Sequence, residues 1–471
     1  MRVLCLLIAV SAAFAQSRLS PGIQPFESFQ DRVIALQHIR VIDGTGAPAR
    51  DDETVIIDNG KITAVGPVGS VQLPTDMRTM DLSGNTMFPG LIGMHEHLFY
   101  PSGEGIPLYT EQAFSAPRLY LAAGVTTMRT AGSLEPYTDL NVKAEIDSQK
   151  MPGPKIDATG PYIQGPGGYS IQMPVLTSPE ATRRLVNYWV QAGATSFKAY
   201  MNISHEALAE AIRTVHEHKL KITGHLCSVG FTEAAELGID DLEHGLLVDT
   251  EFDPGKTKNV CPSQRETMDT IAHLDLQNAQ VQKMIHLLVD QHVAITSTLA
   301  VFEAFIPGRP PIEQRVLDAM SPVAAESYLE AKERVTISAS SARAEYLKKE
   351  MDFERAFVAR GGLLIAGCDP TGNGGALPGF GDQRNLELLV EAGFTPEEAI
   401  RIYTLNGATY EGISDRVGTI ASGKQADVVV VEGNPAEHIN DVERVKYVFK
   451  NGVAYDPAKL IASVRGSVGI H

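Results

Sequence analysis

His95 and His97 close an apolar run, "MFPGLIGMHEHLFY" (87–100), with a single residue between them. In a strand, residues two apart share a face, so both imidazoles point one way and Glu96 points the other. Two such imidazoles can bind one divalent cation. A second triplet, His216-Glu217-His218, serves as a control, because it closes a helical segment that starts near Ser204. On a helix, residues two apart diverge by about 200°, so the same letters there describe a solvated helix end. Strand context decides, not spacing.

Four further residues close other apolar runs: Lys198 in "SFKAYM", His225 in "KITGHL", His244 in "DLEHG" and Asp369 in "IAGCDP". Singly, each has a bland reading: a packed core or loop histidine, a snorkelling lysine, a turn-forming Asp before Pro370. Together with His95 and His97 they form a set of six metal-capable side chains. Lys198 needs its own argument. A free ammonium is repelled by divalent cations, and burial lowers its pKa. A neutral amine, however, can take up carbon dioxide as a carbamate, an anionic ligand able to bridge two metals about 3.5–4 Å apart. Its neighbours Phe197 and Ala199 do not describe an exposed strand. Tyr200 shares the face of Lys198 and is a candidate substrate contact. Tyr169, in the glycine-rich "GPYIQGPGGYS" that suits a loop at the mouth, is a second. Simple packing is an equal alternative for both tyrosines. The stretch "PTGNGGALPGFG" after Asp369 lacks the Lys-Ser/Thr ending of a phosphate loop and is read as a loop beside the site.

These residues need a scaffold. Eight strand-like runs alternate with amphipathic helices between about 88 and 410, namely "MFPGLIGMHEH", "VTTMRTAG", "KIDATGPYI", "SFKAYM", "KITGHL", "DLEHG", "VAITSTL" and "LLIAGCD". Ser178-Pro179-Glu180 and Thr395-Pro396-Glu397 are helix starts. Gly124, Gly193, Gly238 and Gly361 fit left-handed helix ends. Eight alternating units predict a (β/α)8 TIM-like barrel, whose active sites gather at the C-terminal strand ends. The helical stretch from about 312 to 360 exceeds one crossover and predicts an insertion before the last strand. The ends of the chain differ: Asn59-Gly60 and Asn451-Gly452 each sit between strand-like runs and predict two-residue hairpins.

The constellation resembles the amidohydrolase superfamily, in the metal-dependent branch with imidazolonepropionase-like proteins, prolidase-type Xaa-Pro dipeptidases and ochratoxin-hydrolysing amidases. "VIDGTG", "GKITAVG", "FPGLIGMHEH", "AAGVTTMRTAG", "GATSFKAYM", "GHL", "DLEHG", "AGCDP", "LNGA" and "VGTIASGKQADVVVVEGNP" carry the resemblance, from roughly residue 33 to 455. It implies a composite β-sandwich from residues 16–87 and 411–471, beside a barrel over 88–410. It further implies His95, His97 and Asp369 on a more buried metal, His225 and His244 on a more exposed one, and carbamylated Lys198 between them. Zinc suits such donors best, with manganese, cobalt or nickel as alternatives. A hydroxide held by two cations would attack an amide carbonyl, with Asp369 as general base and then general acid. The implied substrates are dipeptides, Xaa-Pro included, or N-acyl amino acids. Relatives often carry His where Tyr169 stands.

Net charge is −17 over 471 residues, which argues against nucleic acid or an anionic membrane as the main partner. A small-molecule or peptide substrate remains, and family members often form homo-oligomers. "MRVLCLLIAVSAAFAQS" has the export pattern, with cleavage expected near Ala15 and a periplasmic or secreted product. Beyond residues 1–15, Cys227, Cys261 and Cys368 are too few for a disulfide framework and are read as buried core residues. Two rival functions stand: a mononuclear deaminase or cyclic-amide hydrolase, which would not require Lys198, and a non-catalytic extracytoplasmic binding protein on the same scaffold.

Overall fold

The structure is a computed structural model and describes residues 19–102, 108–168, 170–338 and 341–470. The expected export segment and Tyr169 lie outside the described residues.

Eight short strands carry the central architecture: β1 (Leu91–Glu96), β2 (Val125–Thr130), β3 (Lys155–Asp157), β4 (Ser196–Met201), β5 (Lys221–Leu226), β6 (Asp241–Glu243), β7 (Ala294–Ser297) and β8 (Leu364–Ala366). They form two parallel sets in chain order, β1 to β3 and β4 to β8. β1, β2, β6, β7 and β8 are buried at every position, which is why their sequences run apolar without alternation. Parallel bridges Thr159↔Ser196 and Ile163↔Ala199 connect the segment after β3 to β4. On the other flank the Asp369 amide donates to the His95 carbonyl at 2.9 Å. That approach requires a glycine, since a Cβ on Gly367 would stand 2.2 Å from the His95 nitrogen.

The helix signals act as expected. Ser178 Oγ accepts from the Ala181 amide, and Thr395 with Glu398 completes a reciprocal cap. Gly124, Gly193, Gly238 and Gly361 all have φ between +87° and +111°. Helices Gln314–Ala319, Pro322–Ile337 and Ser341–Ala359 supply the insertion before β8.

A separate β-rich part draws on both chain ends. Nine strands form one hydrogen-bonded sheet, in which Val428–Glu432 pairs antiparallel with Asn85–Pro89 and Val33–Val41 pairs with Arg50–Asp58. Its core joins Ile34, Leu36 and Val55 to Val428, Val430 and Phe449. Both Asn-Gly pairs adopt positive φ, and the turns abut, for a Cβ on Gly452 would lie 2.1 Å from Gly60 Cα.

Two expectations need correction. The run at 87–97 is not one strand: Asn85–Pro89 belongs to the β-rich sheet and β1 starts at Leu91. The break is at Gly90, whose amide bonds the Asp427 carbonyl and where a side chain would strike Thr126. Secondly, Cys227 and Cys261 are not separate core residues. They form a disulfide, with Cα atoms 5.0 Å apart, and among the described residues Cys368 is the buried free cysteine. The pairing joins the loops that follow β5 and β6, a proximity that only the parallel strand order creates.

Candidate metal centre

The ends of β1, β4, β5, β6 and β8 bring His95, His97, Lys198, His225, His244 and Asp369 to the floor of one cavity of about 700 Å³. His95 Nε2 lies 3.0 Å from Lys198 Nζ and 3.6 Å from Asp369 Oδ2. His97 Nε2 is 3.3 Å from Asp369 Oδ1, and His244 Nε2 is 3.9 Å from Asp369 Oδ2. The His225 ring packs edge-on against His244, with centroids 4.5 Å apart, and against Tyr200 at 4.9 Å. Tyr200 therefore borders the cluster, as its shared face with Lys198 requires. By contrast His216 is half-exposed beside Asp240, and His218 bonds Asn187, so that triplet is the solvated helix end.

The electrostatics suit cations better than protons. Burial, with Lys198 nearby, holds His95 well below the usual imidazole range, and His225 falls to about 3 for the same reasons. His244 is held low by burial and by the imidazoles of His225 and His95. Burial pushes the Lys198 ammonium down to about 8. Burial opposes ionisation of Asp369, but His95, His97 and Lys198 outweigh it and hold the carboxylate well below its ordinary value. Neutral imidazoles, an amine ready to lose its proton and a committed carboxylate are ligand forms. His97 Nδ1 and His244 Nε2 are buried with no hydrogen-bond partner. The unpaired His244 Nε2, 3.9 Å from the Asp369 carboxylate, fits a bound metal, and the donor atoms of His95, His97 and Asp369 lie within 4.8 Å of one another.

Supporting residues escaped the sequence reading. Glu243 Oε2 sits 2.6 Å from His95 Nδ1, and Thr298 Oγ1 lies 2.7 Å from His244 Nδ1. Arg129, fully buried, bonds both Asp241 and Glu243. Thr371 Oγ1 donates to Asp369 Oδ1 at 2.8 Å. His244 and Asp369 have φ of +68° and +47°, and such left-handed backbone in residues other than glycine gathers at functional positions. Glu96 does point away from the cavity, as expected. It meets Cys368 and Asp382, where burial and the neighbouring carboxyl raise its pKa well above the ordinary range.

A family model described as "Amidohydrolase family" matches residues 86–454. The chain belongs to the amidohydrolase family. Among solved structures, it is similar to a Xaa-Pro dipeptidase with bound methionine, at 20% identity and TM-score 0.67, covering 90% of this chain and 100% of that one. It is also similar to the ochratoxinase of A. niger, at 17% identity and TM-score 0.65, covering 93% and 99%. Among curated proteins, a dihydroorotase of Syntrophus aciditrophicus (strain SB) is 36% identical over 110 residues, which is 22% of this chain and 24% of that protein. An enamidase of Eubacterium barkeri is 31% identical over 87 residues, 18% and 22% of the two chains. The chain thus matches about a quarter of the length of these curated relatives. The amidohydrolase family is generally metal-dependent, and its fold is a TIM barrel.

Proposed function

We propose that this amidohydrolase cleaves amide bonds of small peptide-like or N-acyl substrates with two divalent ions, zinc fitting best. His95, His97 and Asp369 would hold one ion and His225 and His244 the other, with Lys198 shared as its carbamate. The observation that carries this reading is Lys198 Nζ standing 3.0 Å from His95 Nε2, buried among imidazoles. A mononuclear site would not require a lysine there.

Bound divalent ions would supply Lewis-acid activation of a water and of the substrate carbonyl. The protein's own groups do the rest. Asp369 is ionised at neutral pH and close to three imidazoles, so one carboxylate oxygen can take a proton from attacking water and return it to the leaving nitrogen. Thr371 fixes its rotamer. Glu243 and Thr298 hold His95 and His244 so that the second ring nitrogen of each faces the cluster. Tyr200 flanks the cavity floor beside His225 and is positioned to contact substrate.

The same reading includes a closed eight-stranded barrel with a β-sandwich from both chain ends, and export after cleavage near Ala15. Among the described residues no helix is long and apolar enough to cross a membrane. The similarity to a dihydroorotase and an enamidase favours cyclic-amide hydrolysis as a second reading. A hydrolysis panel of dipeptides, N-acyl amino acids and cyclic amides with added zinc tests both. The proposal expects cleavage of linear substrates that Asp369→Asn abolishes. Cleavage of cyclic amides alone would select the second reading, and no cleavage with metal bound would favour a binding protein.

A further inference from the structure

Lys450 is a buried ammonium without a partner. The residue is 7% exposed, and among the described residues no hydrogen-bond acceptor or carboxylate lies within bonding distance of its Nζ. Burial pushes it down to about 8, against the pull of Asp427 and Asp147, so its charge is held at a cost. The ammonium is not sealed in, however: it keeps a face on a cavity of about 170 Å³. Lys155, which opens β3, lines the same cavity with Lys450, the last residue of the strand Val445–Lys450. The cavity therefore sits in the seam between the central strands and the β-rich part, at the strand ends opposite the metal centre.

Its charges do not cancel. Among the described residues Lys155 has no carboxylate partner, and Arg416 reaches its neighbour Asp415 at 3.9 Å, too far for a hydrogen bond. Of the two carboxylates in the lining, Asp147 is taken by Lys143 at 2.7 Å. Asp427, itself 7% exposed, accepts from the Asn451 amide through Oδ1 at 2.6 Å and leaves Oδ2 facing the cavity. Three cations against one unmatched carboxylate leave two positive charges. At roughly 30 Å³ per water, the cavity has room for a small tetrahedral oxyanion and a few waters.

We infer that this cavity binds free hydrogen phosphate, its oxygens held by Lys155, Arg416 and Lys450 and its P–OH donating to Asp427. The dianion matches the surplus of positive charge, and its one proton answers the one carboxylate. Sulfate has no such proton, and a phosphate monoester has largely lost its own at pH 7, since its second pKa is about 6. Either would set a bare oxygen against Asp427, a like-charge contact that disfavours binding. Bound phosphate would tie the β-rich part to the barrel. This inference is independent of the hydrolase reading.

The test is calorimetric titration of the full-length, zinc-loaded protein, freed of excess zinc, with inorganic phosphate, sulfate or glycerol 2-phosphate at pH 7 and constant ionic strength. Phosphate is expected to bind at least about tenfold more tightly than the other two. Lys450→Met should weaken phosphate at least about tenfold. Arg416→Gln, at a half-exposed side chain that the fold does not need, should weaken it too and carries the test if the Met variant does not fold. Asp427→Asn still accepts from the Asn451 amide but can donate to an anion, so it should bring sulfate level with phosphate. No phosphate binding by the wild type overturns the inference. So does wild-type binding of sulfate or the monoester as tight as that of phosphate. Phosphate binding that survives Lys450→Met and Arg416→Gln belongs to the metal centre and overturns it as well.

Discussion

Glu243 Oε2 stands 2.6 Å from His95 Nδ1, and its other oxygen accepts from Thr223 Oγ1 at 2.7 Å and Arg129 Nη2 at 3.0 Å. All four side chains are buried. The carboxylate thus draws the His95 proton to Nδ1 and leaves Nε2 free to face Lys198 and Asp369. Glu243→Gln keeps the shape but removes the charge, so metal affinity is expected to fall about 10–100-fold. Competition against a chelator of known affinity measures this, and unchanged affinity would show that Glu243 serves only the fold.

Lys198 makes a pH-dependent prediction for metal-free, bicarbonate-free protein. Burial lowers its folded pKa to about 8 from 10.5, so the native state disfavours the ammonium. Between these values the unfolded chain binds the proton and the native state does not, so stability rises with pH. Below the folded value both states are charged and the full penalty of about 3 kcal/mol applies. Lys198→Met should therefore be more stable than wild type at pH 7, with the gap closing as pH rises from 8 toward 10.5. Urea midpoints in EDTA provide the measurement; a less stable Met variant at pH 7 is the contrary result.

The Cys227–Cys261 disulfide spans 34 residues and both cysteines line the cavity. Cys227 follows His225 by two residues, so the bond ties the loop after β6 to the strand that carries a candidate ligand. Replacing both cysteines with alanine should cost roughly 2–4 kcal/mol and raise KM more than it lowers kcat. Denaturation and steady-state kinetics on the double variant check both parts.

Gly367 permits the approach of β8 to β1. An added methyl would stand 2.2 Å from the His95 nitrogen and 2.7 Å from its Cα, both backbone atoms that cannot step aside. Gly367→Ala should displace Asp369 from His95 and His97, costing on the order of 1–3 kcal/mol and at least a hundredfold in kcat. A variant with wild-type kinetics would contradict this.

The legibility of the chain followed the reach of its physical signals. Strand and helix alternation is local, so all eight central strands could be read from apolar runs, caps and left-handed glycines. Asn59-Gly60 and Asn451-Gly452 were equally plain, because positive φ is a local demand. The break at Gly90 was not, since it depends on Asp427, far away in sequence, and on packing against Thr126. The disulfide was missed for the same reason: a count of three cysteines says nothing about which loops meet. Glu243 and Arg129 were within reach, however. A buried strand "DLE" with two acids on one face requires a cation, and "VTTMRTAG" contains one.

Metal stoichiometry decides between one bound ion and two. Protein loaded with zinc and freed of excess should contain two ions per chain by elemental analysis, and Lys198→Ala should lose at least one of them. A wild-type protein that holds one ion, or a Lys198→Ala variant that still holds two, would contradict the account.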